Sequence, residues 1–417
     1  MTVFIRQAVV VSPSSPFHLQ AVDIIIENGI FTDINFRLER PQHARVIDIK
    51  GLHISIGWVD IMADFGEPGF EYRETLLSGS MAAAAGGFTD VLISPETKPV
   101  ISGRSMVAFI KDKASITRLH PVGTISKDGL GKELAEMYDM AESGAVAFSD
   151  GFKPIQHPGV MVKALQYVLP INANIIQIPN DRSIGTEGLM NEGITSTQLG
   201  LPGIPALAEE LMIARDIELV KYTKSRLHIA GISTQKGMEM IKQAKKEGYQ
   251  ITCSVTPYHL HFCDDDLVHY DTNLKVFPPL RTKQDREALI EGVKQGWIDA
   301  ITSLHRPAHK DEKECEFEYA QFGMAGIQTA FSATFNLIGD INTIVQRFTA
   351  ARNIFNLPPE EIGIGRQACL TLFNPNENFI FTNKQGYSLS HNNAFLEKPL
   401  RGRVLGTIIQ NKIYLNQ

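Results

Sequence analysis

The sequence predicts a parallel α/β fold of the (β/α)8, or TIM, barrel type, with a small β-rich region assembled from both ends of the chain. Three observations carry this. Eight short apolar runs recur, at residues 54–65, 88–94, 121–126, 145–150, 173–179, 226–233, 250–257 and 300–304. Each is apolar enough to be buried on both faces of a parallel sheet. Helical stretches separate most of them. Both ends of the chain instead read as strands around turns, which leaves residues 53–365 for a barrel with long loops.

The elements follow in chain order. Residues 3–11, 22–26 and 45–49 read as short strands, with Glu27-Asn28-Gly29 as a turn between them. An Ala-rich stretch, 72–85, follows a Pro-Gly turn and predicts a helix. In 205–222, Leu207 and Leu211, then Ile213, Ile217 and Val220, fall at helical spacing. The helix over 234–247 has a Ser-Thr start and ends at Gly248, and that over 282–295 follows Pro-Pro and ends at Gly296. Residues 370–373, 378–382 and 403–414 return to strand. The expected division is therefore 1–52 plus 366–417 for the composite β-domain and 53–365 for the barrel. An open doubly wound sheet would need a glycine-rich phosphate loop after its first strand. The nearest match, Gly363-Ile364-Gly365-Arg366-Gln367-Ala368, is late and follows no convincing strand.

Composition narrows the function classes. The 417 residues carry 40 Lys and Arg against 46 Asp and Glu, a net charge of −6, and 43% are hydrophobic. With no basic block, nucleic acid is an unfavourable partner. No run of 18 apolar residues suggests a membrane span. The N-terminus reads as a strand, not as a signal peptide. Four scattered cysteines, Cys253, Cys263, Cys315 and Cys369, fit a reducing cytoplasm better than a disulfide framework.

In a barrel of this type, chemistry sits where the strands end at their C-termini. Those segments, and their order, resemble the dihydroorotases of the cyclic amidohydrolase superfamily over nearly the whole chain. GWVDIMADFGEPGFEYRET looks like the family's first block, NEGITSTQLGLPGIPALAEE and LHIAGIST like its middle, and VTPYHL, KVFPPLR and ITSLHRPAH like its last motifs. The resemblance implies an amidohydrolase-type TIM barrel, a flanking β-sandwich domain built from both termini, and a homodimer. It also implies ring opening of cyclic amides in pyrimidine biosynthesis, by zinc that polarises a carbonyl and activates water.

The departures from the family pattern are as informative. Its metal-ligand positions read Met62, Asp64, Gly151, Gln177, Gly231 and Leu304 here. Only Asp64 keeps a hard donor, since a thioether, glycines and a leucine cannot replace imidazole and carboxylate. Its substrate-binding positions read Gly66, Glu96, Phe277 and Ala308, without the guanidinium fork that clamps a carboxylate. Of the twelve histidines, none falls on a family ligand position. Asp64, His305 and His309 remain weak metal candidates, although Pro307 and the charge of 305–316 favour a loop there. Asp64 with Glu67 and Glu96 is a weak cation candidate. His228 is expected as a core histidine, His259 and His261 as loop supports, Cys253 as a buried strand residue and Asp264–Asp266 as a solvated run. These departures lead to the expectation of a catalytically inactive dihydroorotase-like pseudoenzyme: a non-catalytic subunit or scaffold for aspartate transcarbamoylase, with no cofactor. The alternatives are an active zinc-dependent dihydroorotase or related cyclic amidohydrolase, and a metal-free barrel that binds another small molecule.

Overall fold

The computed structural model describes residues 1–416. Eight parallel strands pair in sequence order: Trp58–Ala63, Phe88–Ile93, Arg118–Gly123, Ala147–Phe148, Asn174–Gln177, Leu227–Ile229, Ile251–Val255 and Ala300–Ile301. The ends of this sheet meet. Thr302 Oγ1 donates to the Ile61 carbonyl at 2.5 Å, and the Asp64 amide donates to the His305 carbonyl at 2.8 Å. The (β/α)8 barrel expected from the sequence is present. Its interior is filled by Val59, Ile61, Leu92, Val122, Ile176 and Ala300, so it is a packed core.

The helices start where their caps dictate. Thr75, Thr234 and Thr282 each accept a hydrogen bond from a backbone amide three residues on, opening the helices Leu76–Ala85, Gln235–Lys246 and Lys283–Lys294. The helix Ala206–Thr223 turns Met212, Ile213, Asp216, Ile217 and Val220 inward.

A second eight-stranded sheet is built from both termini. Its order runs Lys412–Leu415, Pro399–Ile409, Cys369–Ile380, His53–Ile56, Thr2–Val10, Ala21–Glu27 and Ile30–Asn35, with Arg45–Ile47 pairing parallel to Thr2–Val10. His53–Ile56 therefore pairs with the terminal sheet. The apolar run 54–65 is two strands, broken at Gly57, where a Cβ would lie 2.0 Å from Thr89 Oγ1. Trp58 ties the two sheets together. Its indole stacks on Phe348 and Phe331 at 5.1 and 4.8 Å and meets Phe373 of the terminal sheet at 5.5 Å. No helix of the described residues is long and apolar enough to cross a membrane.

Candidate active site at the barrel mouth

The mouth is shaped by what leaves each strand. Met62 and Leu304, at the ends of the first and eighth strands, are fully buried and adopt φ of +60° and +40°. Non-glycine residues held there cost on the order of 1–3 kcal/mol each, a strain that surrounding structure must maintain. They pack with Ile178 and Ala230 in one apolar cluster. A Cβ at Gly231 would lie 2.6 Å from Leu304 Cδ1, so the leucine occupies the volume that a side chain at 231 would need.

Gly151 shows a similar exchange. A Cβ there would lie 2.6 Å from Cγ and Oε2 of Glu96, and Glu96 Oε2 accepts the Phe152 amide at 3.0 Å. A carboxylate thus enters this space from the second strand, not the fourth. Gly66 sits at φ +64° between the Phe70 and Glu74 carbonyls, 2.7 and 2.8 Å from a Cβ, so an arginine would force the backbone apart. Ala308 is buried, its amide held by Asn392 Oδ1 at 3.1 Å.

One position requires correction. Gln177 turns outward: its Nε2 donates to Asp216 Oδ2 at 3.2 Å, on the helix Ala206–Thr223. The fifth-strand residues facing the barrel interior are Ile176 and Ile178. The two-residue alternation of a strand decides this, and the same alternation was the signal available in the sequence.

Beside Glu96, three aspartates lie at or below the mouth. Asp64 Oδ1 accepts the Gly66 amide at 2.9 Å. Burial pushes its carboxyl above the usual range; the Arg306 cation opposes this and the Glu96 charge adds to it. Asp150 accepts the amides of Ile125 and Ser126 at 2.8 and 3.0 Å and the Ser126 hydroxyl, and burial raises it against those bonds. Asp60, deeper, takes the Ser303 amide at 2.6 Å and is likewise raised by burial. Glu67 leaves the group, accepting from the Leu76 amide and Lys113 at 2.9 and 2.5 Å.

Arg306, whose position sequence reasoning left without a role, lines the mouth beside these carboxylates, with Arg73 and Lys153. Its guanidinium lies 4.1 Å over the Phe152 ring. It lines two adjoining cavities of about 400 and 230 Å³, which share Glu96 and Lys153 as well. The signal was present in the sequence, where Arg306 stands between His305 and Pro307 just past the eighth strand.

The remaining candidates separate. His305 is fully buried beside Glu74, 3.5 Å from its carboxylate, while His309 is partly exposed and caps the short helix Lys310–Lys313 by accepting the Asp311 amide. They do not converge with Asp64. His228 bonds to Thr252 and Ser254, and burial drops it to about 3; His259 bonds to Thr256 and the Pro278 carbonyl, and burial drops it to about 4. Burial pushes the Cys253 thiol up to about 12. Asp264 is buried and accepts from Asn191 at 2.7 Å, so the 264–266 run is not wholly solvated as expected; Asp266 Oδ2 accepts the Cys263 amide.

The residues at the mouth do not fit the zinc that the resemblance implies. At the positions where the family places its ligands, Met62, Ile178 and Leu304 give no hard donor and Gly151 and Gly231 no side chain, which leaves Asp64; Asp60 and Asp150 are held by backbone amides and serine hydroxyls, and no imidazole joins them.

A closed parallel barrel with its polar groups at the C-terminal mouth, joined to a sheet made from both termini, defines an amidohydrolase-type barrel protein. Residues 52–237 match the family described as dihydro-orotase-like. The chain is 36% identical over 422 residues to a dihydroorotase of Syntrophus aciditrophicus, covering 99% of both chains. It is 38% identical over 404 residues to a dihydroorotase of Caldanaerobacter subterraneus, covering 94% of this chain and 93% of that one. The L-hydantoinase of Arthrobacter aurescens superposes with a TM-score of 0.87 at 20% identity, over 99% of this chain and 96% of the other, a likeness of fold. The chain belongs to the dihydroorotase family. These relatives overturn the expectation of a non-catalytic subunit or scaffold: proteins this similar, end to end, carry the name of the enzyme.

Proposed function

We propose that the chain interconverts a carboxylated cyclic amide of the dihydroorotate class and its ring-opened carbamoyl acid at the barrel mouth. Water breaks one ring C–N bond, leaving a new carboxylate on carbon and an amine hydrogen on the carbamoyl nitrogen. The observation that carries the reading is the full-length similarity to proteins named dihydroorotase. The mouth supports it with a cavity of about 230 Å³ that brings Asp64, Glu96, Asp150 and Arg306 together. Asp64, raised by burial, is the group suited to hold and return a proton.

The test is an assay in both directions, with dihydroorotate and with carbamoyl aspartate, on protein stripped by chelator and on protein supplied with zinc. Interconversion under both conditions is expected, because the mouth lacks a zinc ligand set. No interconversion under either condition would overturn the proposal.

A further inference from the structure

The larger mouth cavity, about 400 Å³, has a distinctive lining. Phe152, Phe277 and Phe322 form an aromatic wall, with ring centroids 6.3 Å apart for the first pair and 5.9 Å for the second. Arg306, Lys153 and Arg182 supply three cations against one carboxylate, Glu96, one of whose oxygens is engaged by the Phe152 amide. Arg182 is tied to the Phe152 carbonyl at 3.2 Å. Arg306 differs. Among the described residues its guanidinium has no hydrogen bond and no ion pair within 4.0 Å. Yet it is half-buried and fixed over Phe152. A planar fork held on an aromatic face, with its donors unused, is pre-organised for a bidentate carboxylate.

We propose that Arg306 is the carboxylate clamp of this site, seating a flat anionic ring against the Phe152–Phe277–Phe322 wall. It takes over from the eighth strand a task that Gly66 cannot perform, since a side chain at 66 would strike the Phe70 and Glu74 carbonyls. The clamp deepens the function proposed above and rests on it for the substrate class.

The experiment is calorimetric binding of orotate, a flat carboxylated ring, with uracil as its uncharged counterpart. It is run on the wild-type chain and on Arg306→Ala, Arg306→Gln and Arg306→Lys. The wild type binds orotate in preference to uracil. Loss of one charge-assisted pair weakens orotate binding about 10- to 100-fold in the Ala and Gln variants, and Lys recovers part of it as a point charge without the fork. Uracil binding stays unchanged across the series, which a merely structural role would not produce. Gln keeps a long side chain beside Phe152, so it serves if the Ala variant misfolds. Equal orotate affinity in wild type and variants, or no preference for orotate in the wild type, overturns the clamp. The two proposals part company cleanly. Turnover with an Arg306-independent KM removes the clamp and leaves the reaction; Arg306-dependent orotate binding without turnover does the reverse.

Discussion

The two ends of the barrel treat charge in opposite ways. At the N-terminal end, Asp90 is buried and receives Arg352 at 2.6 Å, Arg118 at 2.8 Å and His120 at 2.8 Å. Glu360 then pairs with Arg118 at 2.9 Å. At the mouth, Asp64 and Asp150 are held by backbone amides and a serine hydroxyl, while Arg306 has no oxygen partner among the described residues. The positive-φ residues differ too: at the mouth they are the buried, apolar Met62 and Leu304, and at the closed end the exposed Asn172, Lys224 and Asn356. A paired network holds strands in place. Unspent donors, raised carboxyls and maintained strain are what a binding site keeps in reserve. The difference says that the closed end is built for stability and the mouth for a ligand.

The largest expected effect lies at the closed end. Arg352→Ala leaves the Asp90 carboxylate buried with one cation fewer, a change that costs about 3–5 kcal/mol. Urea unfolding measures it, and a loss under about 1 kcal/mol would show that the network does not carry the end it occupies. The same network sets an acid limit. Burial alone would raise Asp90, but the His120 hydrogen bond, then Arg352 and Arg118, outweigh it and hold the carboxyl well below the usual range. A carboxyl depressed in the folded state gives stabilisation that is present above its unfolded value, near ~4, and lost as pH falls below that. Wild-type stability should therefore fall steeply below about pH 4. Arg352→Ala should make that fall shallower, since one of the groups that hold Asp90 down is gone while His120 and Arg118 remain.

Next in size is the packed floor of the mouth. Leu304 is buried against Met62 and Ile178 and fills the volume over Gly231. Leu304→Ala opens a cavity there and costs about 2–4 kcal/mol in urea unfolding. If the loss is below about 1 kcal/mol, the floor collapses readily and is not the rigid support described. A sharper version concerns metal: Met62→His with Asp64→His should still bind no stoichiometric zinc by elemental analysis, because Ile178, Gly231 and Leu304 contribute no ligand. Stoichiometric zinc in that variant would mean the floor rearranges around an ion.

Much of this contrast was legible in the residues. Apolar runs gave the barrel strands, and the Ser233-Thr234 cap gave the start of one helix, because both signals are local; the caps at Thr75 and Thr282 were as local, but those two starts were read from proline turns instead. That Met62, Gly151, Gly231 and Leu304 bring no hard donor to the mouth was legible for the same reason, as residues at strand ends. What was not legible depended on direction or on distant contacts. Gln177 and Ile178 differ by one residue, and only the strand's facing separates an outward glutamine bonded to Asp216 from an inward isoleucine. The 54–65 run hid a change of sheet at Gly57, forced by Thr89 some thirty residues away. Arg306 was visible as a letter, but its seat on Phe152 comes from packing between the fourth and eighth strands. The step from missing ligands to missing activity was a different kind of error. Emptied positions describe a site, and the reaction a chain performs needs its own observation.

The smallest expected effect is the one that separates the two ends most directly. Arg306→Ala removes a cation that has no ion pair to lose, so the cost is the stacking on Phe152, about 0.5–1 kcal/mol. Asp64 also loses a favourable nearby charge, but neither it nor Glu96 is within ion-pair distance of the guanidinium, so neither is stranded by its removal in the way Asp90 is stranded by Arg352→Ala. The unfolding midpoint in urea should therefore move little while orotate binding falls sharply. At the closed end the same chemical change, arginine to alanine, should do the opposite, with a large loss of stability and no change in ligand affinity of the folded fraction. If Arg306→Ala destabilises the chain as much as Arg352→Ala, the mouth arginine is a structural tie like its counterpart below, and the division of labour between the two ends is wrong.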